Sequence, residues 1–138
     1  MENQEPLFMI VDDEPDMCWA LENILRKNGY RCEKALSGGE AMRLLKPQKF
    51  HLAFLDVKLP DIEGLELARR IKSVDSEVRI VMISGFCYMD DPTIQKAIQE
   101  GLICNFVAKP FLHAEIIKSI KLARSSTTVA CVNKDSVP

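Results

Sequence analysis

HLAFLD, residues 51–56, is an apolar run of strand length that ends in the carboxylate of Asp56. A run of this kind is typical of a strand that is buried on both faces of a parallel sheet. Residues 7–11, LFMIV, repeat the pattern and are followed directly by Asp12 and Asp13. The remaining strands are predicted at residues 31–35, 78–83 and 103–108.

Amphipathic segments with helical spacing separate the predicted strands. Their boundaries carry start and stop signals: Pro15 and the run Asp90-Asp91-Pro92 at helix starts, Ser37 and Glu40 in a capping-box arrangement, and Gly29 and Gly101 at helix ends. A third helix is predicted from Leu65, and a fifth has Ile116, Ile120 and Ala123 on its apolar face. Five strands alternating with five helices predict an α/β fold, a doubly wound parallel sheet with right-handed crossovers.

Length and composition indicate one globular domain. The chain has 138 residues, of which 47% are hydrophobic and 28% charged, values close to those of average folded proteins. We expect residues 5–125 to form the domain and residues 126–138 to be a disordered tail, because the tail has no hydrophobic periodicity. Five cysteines without a C-x-x-C pair favour reduced, core-filling thiols over disulfides or a metal site.

Charge and hydropathy exclude several classes of function. The formal net charge is −2, so the chain lacks the basic excess of a protein that binds nucleic acid through bulk charge. No stretch approaches the roughly 20 apolar residues of a membrane span. The acidic start of the chain does not have the pattern of a secretory signal. A cytoplasmic location is therefore expected.

Polar residues stand where the predicted strands end. Asp12 and Asp13 follow the first strand, Asp56 ends the third, Ser84 follows the fourth and Lys109 follows the fifth. Because functional groups of such sheets gather beyond the carboxyl ends of the strands, we expect these side chains to meet. Each residue alone would be an ordinary turn or cap residue, and only the combination indicates a site.

The chemistry of this combination indicates phosphoryl transfer. Three carboxylates with one ammonium leave an excess of negative charge, which Mg²⁺ would neutralise while keeping open positions for phosphate oxygens. A phosphoryl group would meet the metal, the Ser84 hydroxyl and the Lys109 ammonium. Asp56 is the best candidate for a nucleophile that forms an acyl phosphate, and Asp12 and Asp13 are better placed to hold the metal.

From about Leu7 to Arg124 the chain resembles the receiver domain of two-component response regulators. The motifs that carry the resemblance are the pair Asp12-Asp13, Asp56 in LDVKLPDIEG, Ser84 in VMISG and Lys109 in VAKPF. The resemblance implies a flavodoxin-like fold with strand order 2-1-3-4-5. It also implies a signalling switch rather than an enzyme, one that catalyses only its own phosphorylation and dephosphorylation.

The resemblance assigns roles to the residues of the site. Asp56 would be the phosphoacceptor, and its donor would be a phosphohistidine on a sensor histidine kinase or a phosphotransfer protein. Asp13 and Asp56 would ligate Mg²⁺ directly, together with the backbone carbonyl of Lys58. Asp12 would act largely through water. Lys109 would bind phosphoryl oxygens and precede a cis proline.

The resemblance also implies how phosphorylation is transmitted. Ser84 would bind a phosphoryl oxygen, and Phe106 matches the switch aromatic, where Tyr is frequent in the family. Ser84 and Phe106 are expected to be near neighbours. Lys58 and Phe86 occupy the positions that tune the lifetime of the phosphoryl group. A downstream effector would bind the face formed by the fourth helix, fifth strand and fifth helix, and no direct contact with nucleic acid is expected.

Other functions fit the sequence less well. A degenerate receiver that acts only as a binding module is disfavoured by the complete acidic set. An aspartyl-phosphate phosphatase of the haloacid dehalogenase type would need a D-x-D motif, but Asp12 and Asp13 are adjacent and Glu14 follows them. A flavodoxin-like FMN carrier is disfavoured because the acidic loop would repel the phosphate. Whether the receiver is a stand-alone protein or part of a longer regulator stays open.

Overall fold

The computed structural model describes residues 6–85 and 91–125. Its strands form one parallel sheet in the order β2-β1-β3-β4-β5, which confirms the predicted fold class and strand order. The strands are β1 (Leu7–Val11), β2 (Arg31–Ala35), β3 (Leu52–Asp56), β4 (Arg79–Ser84) and β5 (Asn105–Ala108). The helices are α1 (Pro15–Lys27), α2 (Gly38–Leu45), α3 (Gly64–Val74), α4 (Pro92–Gln99) and α5 (His113–Ser125).

Two apolar layers cover the faces of the sheet. On one face, Met9, Leu55 and Met82 belong to a buried cluster that also includes side chains of α2, α3 and α4. On the other face, Phe8 and Phe54 belong to a cluster with α1 and α5. The alternation of neighbouring residues between the two clusters is the period of two expected of strands buried on both sides. Full burial of each such side chain is worth roughly 1.5–3 kcal/mol.

The predicted helix boundaries have a physical basis in the structure. The Ser37 Oγ accepts a hydrogen bond from the Glu40 amide at 3.2 Å, and the Glu40 carboxylate accepts one from the Leu36 amide at 2.9 Å. The capping box therefore forms, although Glu40 reaches the residue before the cap. Gly29 and Gly101 have φ values of 84° and 80°, the left-handed conformation that favours glycine after a helix.

The start of the fifth strand differs from the prediction. The apolar run begins at Ile103, but β5 begins at Asn105. The Ile103 amide donates to the Ala97 carbonyl in α4 at 3.4 Å, so this buried residue belongs to the connection from α4. The Cys104 amide donates to the Ile80 carbonyl at 2.7 Å, which starts the approach to β4.

Several sequence predictions lie outside the described residues. These are the expected disorder of residues 126–138, the lifetime role of Phe86 and the cap contribution of Asp90. Within residues 6–85 and 91–125, none of the helices is both long enough and apolar enough to cross a membrane.

Candidate functional site

The sheet delivers five of the predicted site residues to its carboxyl edge. Asp12 and Asp13 directly follow β1, Asp56 is the last residue of β3, Ser84 is the last residue of β4, and Lys109 directly follows β5. Carboxylate oxygens of Asp12, Asp13 and Asp56 all lie within 4.8 Å of one another. The structure therefore brings together the three acids that the strand-end rule selects.

Lys109 supplies the positive charge of the site. Its Nζ lies 2.7 Å from Oδ2 of Asp12 and 3.5 Å from Oδ2 of Asp56. It also lies 3.3 Å from Oε1 of Glu14, a residue that the sequence analysis did not assign to the site. The Lys109 amide donates to the Ser84 carbonyl at 2.7 Å, which fixes the start of this segment against the end of β4.

The loop after β3 holds Asp56 in place. The Lys58 amide donates to Oδ1 of Asp56 at 3.3 Å, and the Gly64 amide donates to the Val57 carbonyl at 2.7 Å. The Gly64 Cα lies so close to the Asp56 backbone carbonyl that a Cβ at this position would overlap it. Gly64 is therefore required here by close approach, a role that the sequence analysis missed.

Burial and charge perturb the ionisable groups of the site. Burial raises the pKa of Asp56, the negative charge of Asp12 raises it further, and Lys109 opposes both effects. Burial alone would lower the pKa of Lys109, but the hydrogen bond and the charges of Asp12 and Asp56 outweigh it and raise that pKa. Lys109 is therefore held as an ammonium, whereas Asp56 carries its negative charge at a cost.

Asp12 is held from two sides. Its Oδ1 accepts a hydrogen bond from the Glu14 amide at 2.9 Å, which fixes the side chain in an Asx turn. Its backbone carbonyl accepts a hydrogen bond from Cys18 Sγ at 3.3 Å. Burial, followed by the charge of Asp12, raises the pKa of Cys18 to about 11, so this group is a neutral thiol at physiological pH.

The donor set fits Mg²⁺. Asp12 and Asp56 are only 3% and 9% exposed, whereas Asp13 is exposed. The acidic cluster is therefore buried on the side of Asp12 and Asp56 and open to solvent on the side of Asp13. Three carboxylates of this kind are hard oxygen ligands, and the open side leaves room for water or phosphate oxygens. The carbonyl of Lys58 stays a predicted ligand. Lys58 is paired with Glu63 in an isolated antiparallel bridge within the loop.

The predicted switch residues lie close in register. β4 pairs with β5 so that Ser84 is opposite Ala108 and Met82 is opposite Phe106. Ser84 and Phe106 are thus diagonal positions of adjacent strands with side chains on the same face. Ser84 is 3% exposed, and Phe106 is partly buried against the cluster that includes α4. The Lys109–Pro110 peptide bond is cis, as predicted.

Known proteins share this sequence pattern and fold. Residues 8–121 match the family described as response regulator receiver domain. Sporulation initiation phosphotransferase F of Bacillus subtilis is 30% identical over 114 residues, which are 83% of this chain and 90% of that protein. The chain spans about half the length of several transcriptional regulatory proteins that it also matches, 56% in one case and 48% in another.

Solved structures agree with these matches. A CheY-like response regulator receiver domain protein from Methanospirillum hungatei superposes with a TM-score of 0.76 and 26% identity, covering 86% of this chain and 92% of that one. Response regulator protein TrrA from Thermotoga maritima, solved in complex with Mg(2+)-BeF, has a TM-score of 0.73 and 26% identity, covering 84% of this chain and 96% of that one. With its acidic cluster, its lysine and its strand order, the chain belongs to the family of response regulator receiver domains.

Proposed function

We propose that this receiver domain accepts a phosphoryl group on Asp56 in a Mg²⁺-dependent reaction, and that phosphorylation changes its binding surface. The observation that carries the proposal is the meeting of opposite charges at one edge of the sheet. Three carboxylates lie within 4.8 Å of one another, and the Lys109 ammonium lies 3.5 Å from Asp56. Such a site offers oxygen ligands for a cation and a fixed positive charge for phosphoryl oxygens.

Asp56 is the proposed nucleophile. One of its carboxylate oxygens would attack the phosphorus of a phosphohistidine, so that an O–P bond forms and the N–P bond breaks. The released imidazole takes up a proton, and the product on Asp56 is an acyl phosphate. Burial raises the pKa of Asp56, so its carboxylate oxygens are more basic, and therefore better nucleophiles, than those of an ordinary aspartate.

The other residues are proposed to hold the cation and the phosphoryl group. Asp13, the acceptor carboxylate and the Lys58 carbonyl would bind Mg²⁺ directly, and Asp12 would bind it largely through water. Bound Mg²⁺ supplies neutralisation of the negative charge on the phosphoryl oxygens. The Lys109 ammonium and the Ser84 hydroxyl would bind the remaining oxygens.

The relatives support this proposal and its partners. One is named a phosphotransferase of sporulation initiation, and another was solved with Mg(2+)-BeF. We propose a sensor histidine kinase or a phosphotransfer protein as the donor and an effector that binds the face of α4, β5 and α5. We further propose that residues 5–125 form the receiver domain, that it acts in the cytoplasm, and that it does not contact nucleic acid itself.

Exposure of the full chain to acetyl phosphate tests the proposal. With Mg²⁺, the wild type should gain one phosphoryl group in intact-mass spectra and lose it again with time. Without Mg²⁺, and in Asp13→Ala with limiting Mg²⁺, uptake should be much slower, because a direct anionic ligand is missing. A degenerate receiver would instead show no uptake under any of these conditions.

A further inference from the structure

The Asp61 carboxylate joins two separate elements of the fold. Its Oδ1 accepts a hydrogen bond from the Gly38 amide at 2.9 Å, and its Oδ2 accepts one from the Gly39 amide at 3.0 Å. Gly38 and Gly39 are the first residues of α2, whereas Asp61 lies in the connection between β3 and α3, residues 57–63, which we call the acceptor loop. The acceptor loop is therefore tied to the start of a helix 22 or more residues earlier in the chain.

The two elements are shaped for this contact. A Cβ on Gly38 would overlap Cγ2 of Ile62, and a Cβ on Gly39 would lie 3.5 Å from Oδ2 of Asp61. The absence of a side chain on Gly38 allows the loop to lie directly against the helix. The Gly38 and Gly39 amides lower the pKa of Asp61, so the carboxylate stays ionised where the helix dipole favours a negative charge.

The same loop contains the group that orients the phosphoacceptor. The Lys58 amide donates to Oδ1 of Asp56 at 3.3 Å, and Lys58 pairs with Glu63 across the loop. Lys58 and Glu63 both lie within a few residues of Asp61. Lys58, Pro60 and Asp61 of this loop are exposed. Val57, Leu59 and Ile62 of this loop are only partly buried against the apolar cluster. Directed hydrogen bonds to the neighbouring helix therefore add to that packing in fixing the position of the loop.

We propose that Asp61 is a positioning residue for the phosphoryl-transfer site. By tying the acceptor loop to the start of α2, it holds Lys58 where the Lys58 amide orients Asp56 and the Lys58 carbonyl can face the cation. The inference rests on the proposed function, because the step that it serves is Mg²⁺-dependent phosphorylation of Asp56. The role assigned to Asp61 is indirect, because the donors to its carboxylate are the Gly38 and Gly39 amides of α2.

The test compares Asp61→Asn and Asp61→Ala with Ser37→Ala in the full chain. The Asn variant keeps one oxygen acceptor, and the Ala variant keeps none. Ser37→Ala is the matched control, because it removes a different hydrogen bond from the same end of α2, the one from the Glu40 amide at 3.2 Å. It weakens the helix start without releasing the acceptor loop.

Two readouts separate positioning from a loss of stability. In the metal-free protein, amide hydrogen exchange at Lys58 should be faster than in the wild type in both Asp61 variants, and faster in Asp61→Ala than in Asp61→Asn. It should be unchanged in Ser37→Ala. The Mg²⁺ dissociation constant should rise in the same order, by about tenfold in Asp61→Ala, the lower end of the effect of residues that support metal ligands indirectly. Saturating Mg²⁺ should restore much of the rate of uptake from acetyl phosphate.

The outcomes distinguish the two proposals. Wild-type exchange at Lys58 and wild-type Mg²⁺ affinity in both Asp61 variants would overturn the positioning role. Equal changes in Ser37→Ala would also overturn it, because they would show that the stability of α2 alone matters. If the wild type neither binds Mg²⁺ nor takes up a phosphoryl group, the proposed function fails, whereas the exchange measurement still decides whether Asp61 positions the loop.

Discussion

The Lys109 ammonium lies 2.7 Å from Oδ2 of Asp12 but 3.5 Å from Oδ2 of Asp56. The lysine is therefore paired more closely with Asp12 than with the acceptor carboxylate. This asymmetry agrees with the raised pKa of Asp56, for which burial and the charge of Asp12 outweigh the attraction of Lys109. A cation bound to the acidic cluster would share this space with the Lys109 ammonium and would be repelled by its positive charge.

Replacement of Lys109 tests this competition. Lys109→Met should destabilise the metal-free protein by about 1.5–3 kcal/mol, the scale of a charge-assisted hydrogen bond, because Asp12 loses its close partner. The same variant should bind Mg²⁺ more tightly than the wild type, since no ammonium repels the cation. Urea unfolding with and without Mg²⁺ measures both effects. Lys121→Met, at an exposed position of α5, is the control. Equal Mg²⁺ affinity in variant and wild type would contradict the competition.

The raised pKa of Asp56 predicts a pH-dependent stability difference. Its ordinary value is 3.8, and the folded state raises it through burial and then through the charge of Asp12. Above both pKa values, the ionised Asp56 destabilises the folded state. As the pH falls below the raised pKa of the folded state, the folded state takes up the proton first. The destabilisation by the Asp56 charge therefore disappears once the pH has fallen to about the ordinary pKa of the group.

Asp56→Asn removes this titration. Without metal, the variant should be more stable than the wild type near pH 7, and the two stabilities should converge as the pH falls toward the ordinary Asp range. Urea unfolding in the presence of a chelator, at a series of pH values, gives the difference directly. A stability difference that grows on acidification would show that the assigned cause of the shift is wrong.

The close approach at Gly64 predicts a steric effect on both stability and phosphorylation. In Gly64→Ala the new Cβ would overlap the Asp56 carbonyl and lie 2.7 Å from Cε of Met82 and 2.9 Å from Cα of Val57. Overpacking of this kind costs about 1–3 kcal/mol, and the shift of the carbonyl should slow uptake on Asp56. Gly85→Ala is the control for stability, because nothing lies within 4 Å of a Cβ there. Equal unfolding midpoints for the two variants would refute the prediction.

The register of β4 and β5 predicts how phosphorylation is transmitted. If the Ser84 hydroxyl moves toward a phosphoryl group, space opens beside Phe106, whose ring can then rotate inward. Full burial of a Phe side chain is worth roughly 1.5–3 kcal/mol, enough to shift a two-state equilibrium. Activation with beryllofluoride and Mg²⁺ should shift NMR signals of Phe106, Ile94, Ile98 and α5.

The control for this transmission is Ser84→Ala. In that variant the signals near Asp56 should still shift on activation, whereas those of Phe106 and α4 should stay close to their unactivated positions. Identical shifts of Phe106 in Ser84→Ala and in the wild type would show that the hydroxyl does not couple the two sites.

The strands follow from local features of the sequence, whereas their order was implied by the family resemblance. β1 and β3 are uninterrupted apolar runs because both of their faces are buried, and that pattern is visible without a structure. The predicted start of β5 was wrong, because Ile103 is as apolar and as buried as a strand residue. Only the direction of its amide, toward the Ala97 carbonyl, separates it from the strand, and hydropathy carries no information about that direction.

The site was predictable where one rule covers it. Asp12, Asp13 and Asp56 stand at strand ends, and the parallel sheet brings strand ends together. Glu14 and Asp61 were missed because their partners are distant in the chain: the Glu14 carboxylate meets a lysine 95 residues away. Both residues are exposed acids in loops, and exposed acids in loops are common without any such role. The third acid of the run DDEPD is the one signal that could have indicated Glu14.

Peptide-level mass spectrometry identifies the residue that accepts the phosphoryl group, which we propose to be Asp56. The full chain is incubated with Mg²⁺ and acetyl phosphate, reduced with borohydride to trap the acyl phosphate, and digested. The modified residue should be Asp56, modification should require Mg²⁺, and Asp56→Asn should carry no modification at the same incubation time. Modification at Asp12 or Asp13 in the wild type, or equal labelling of Asp56→Asn, would show that Asp56 is not the acceptor.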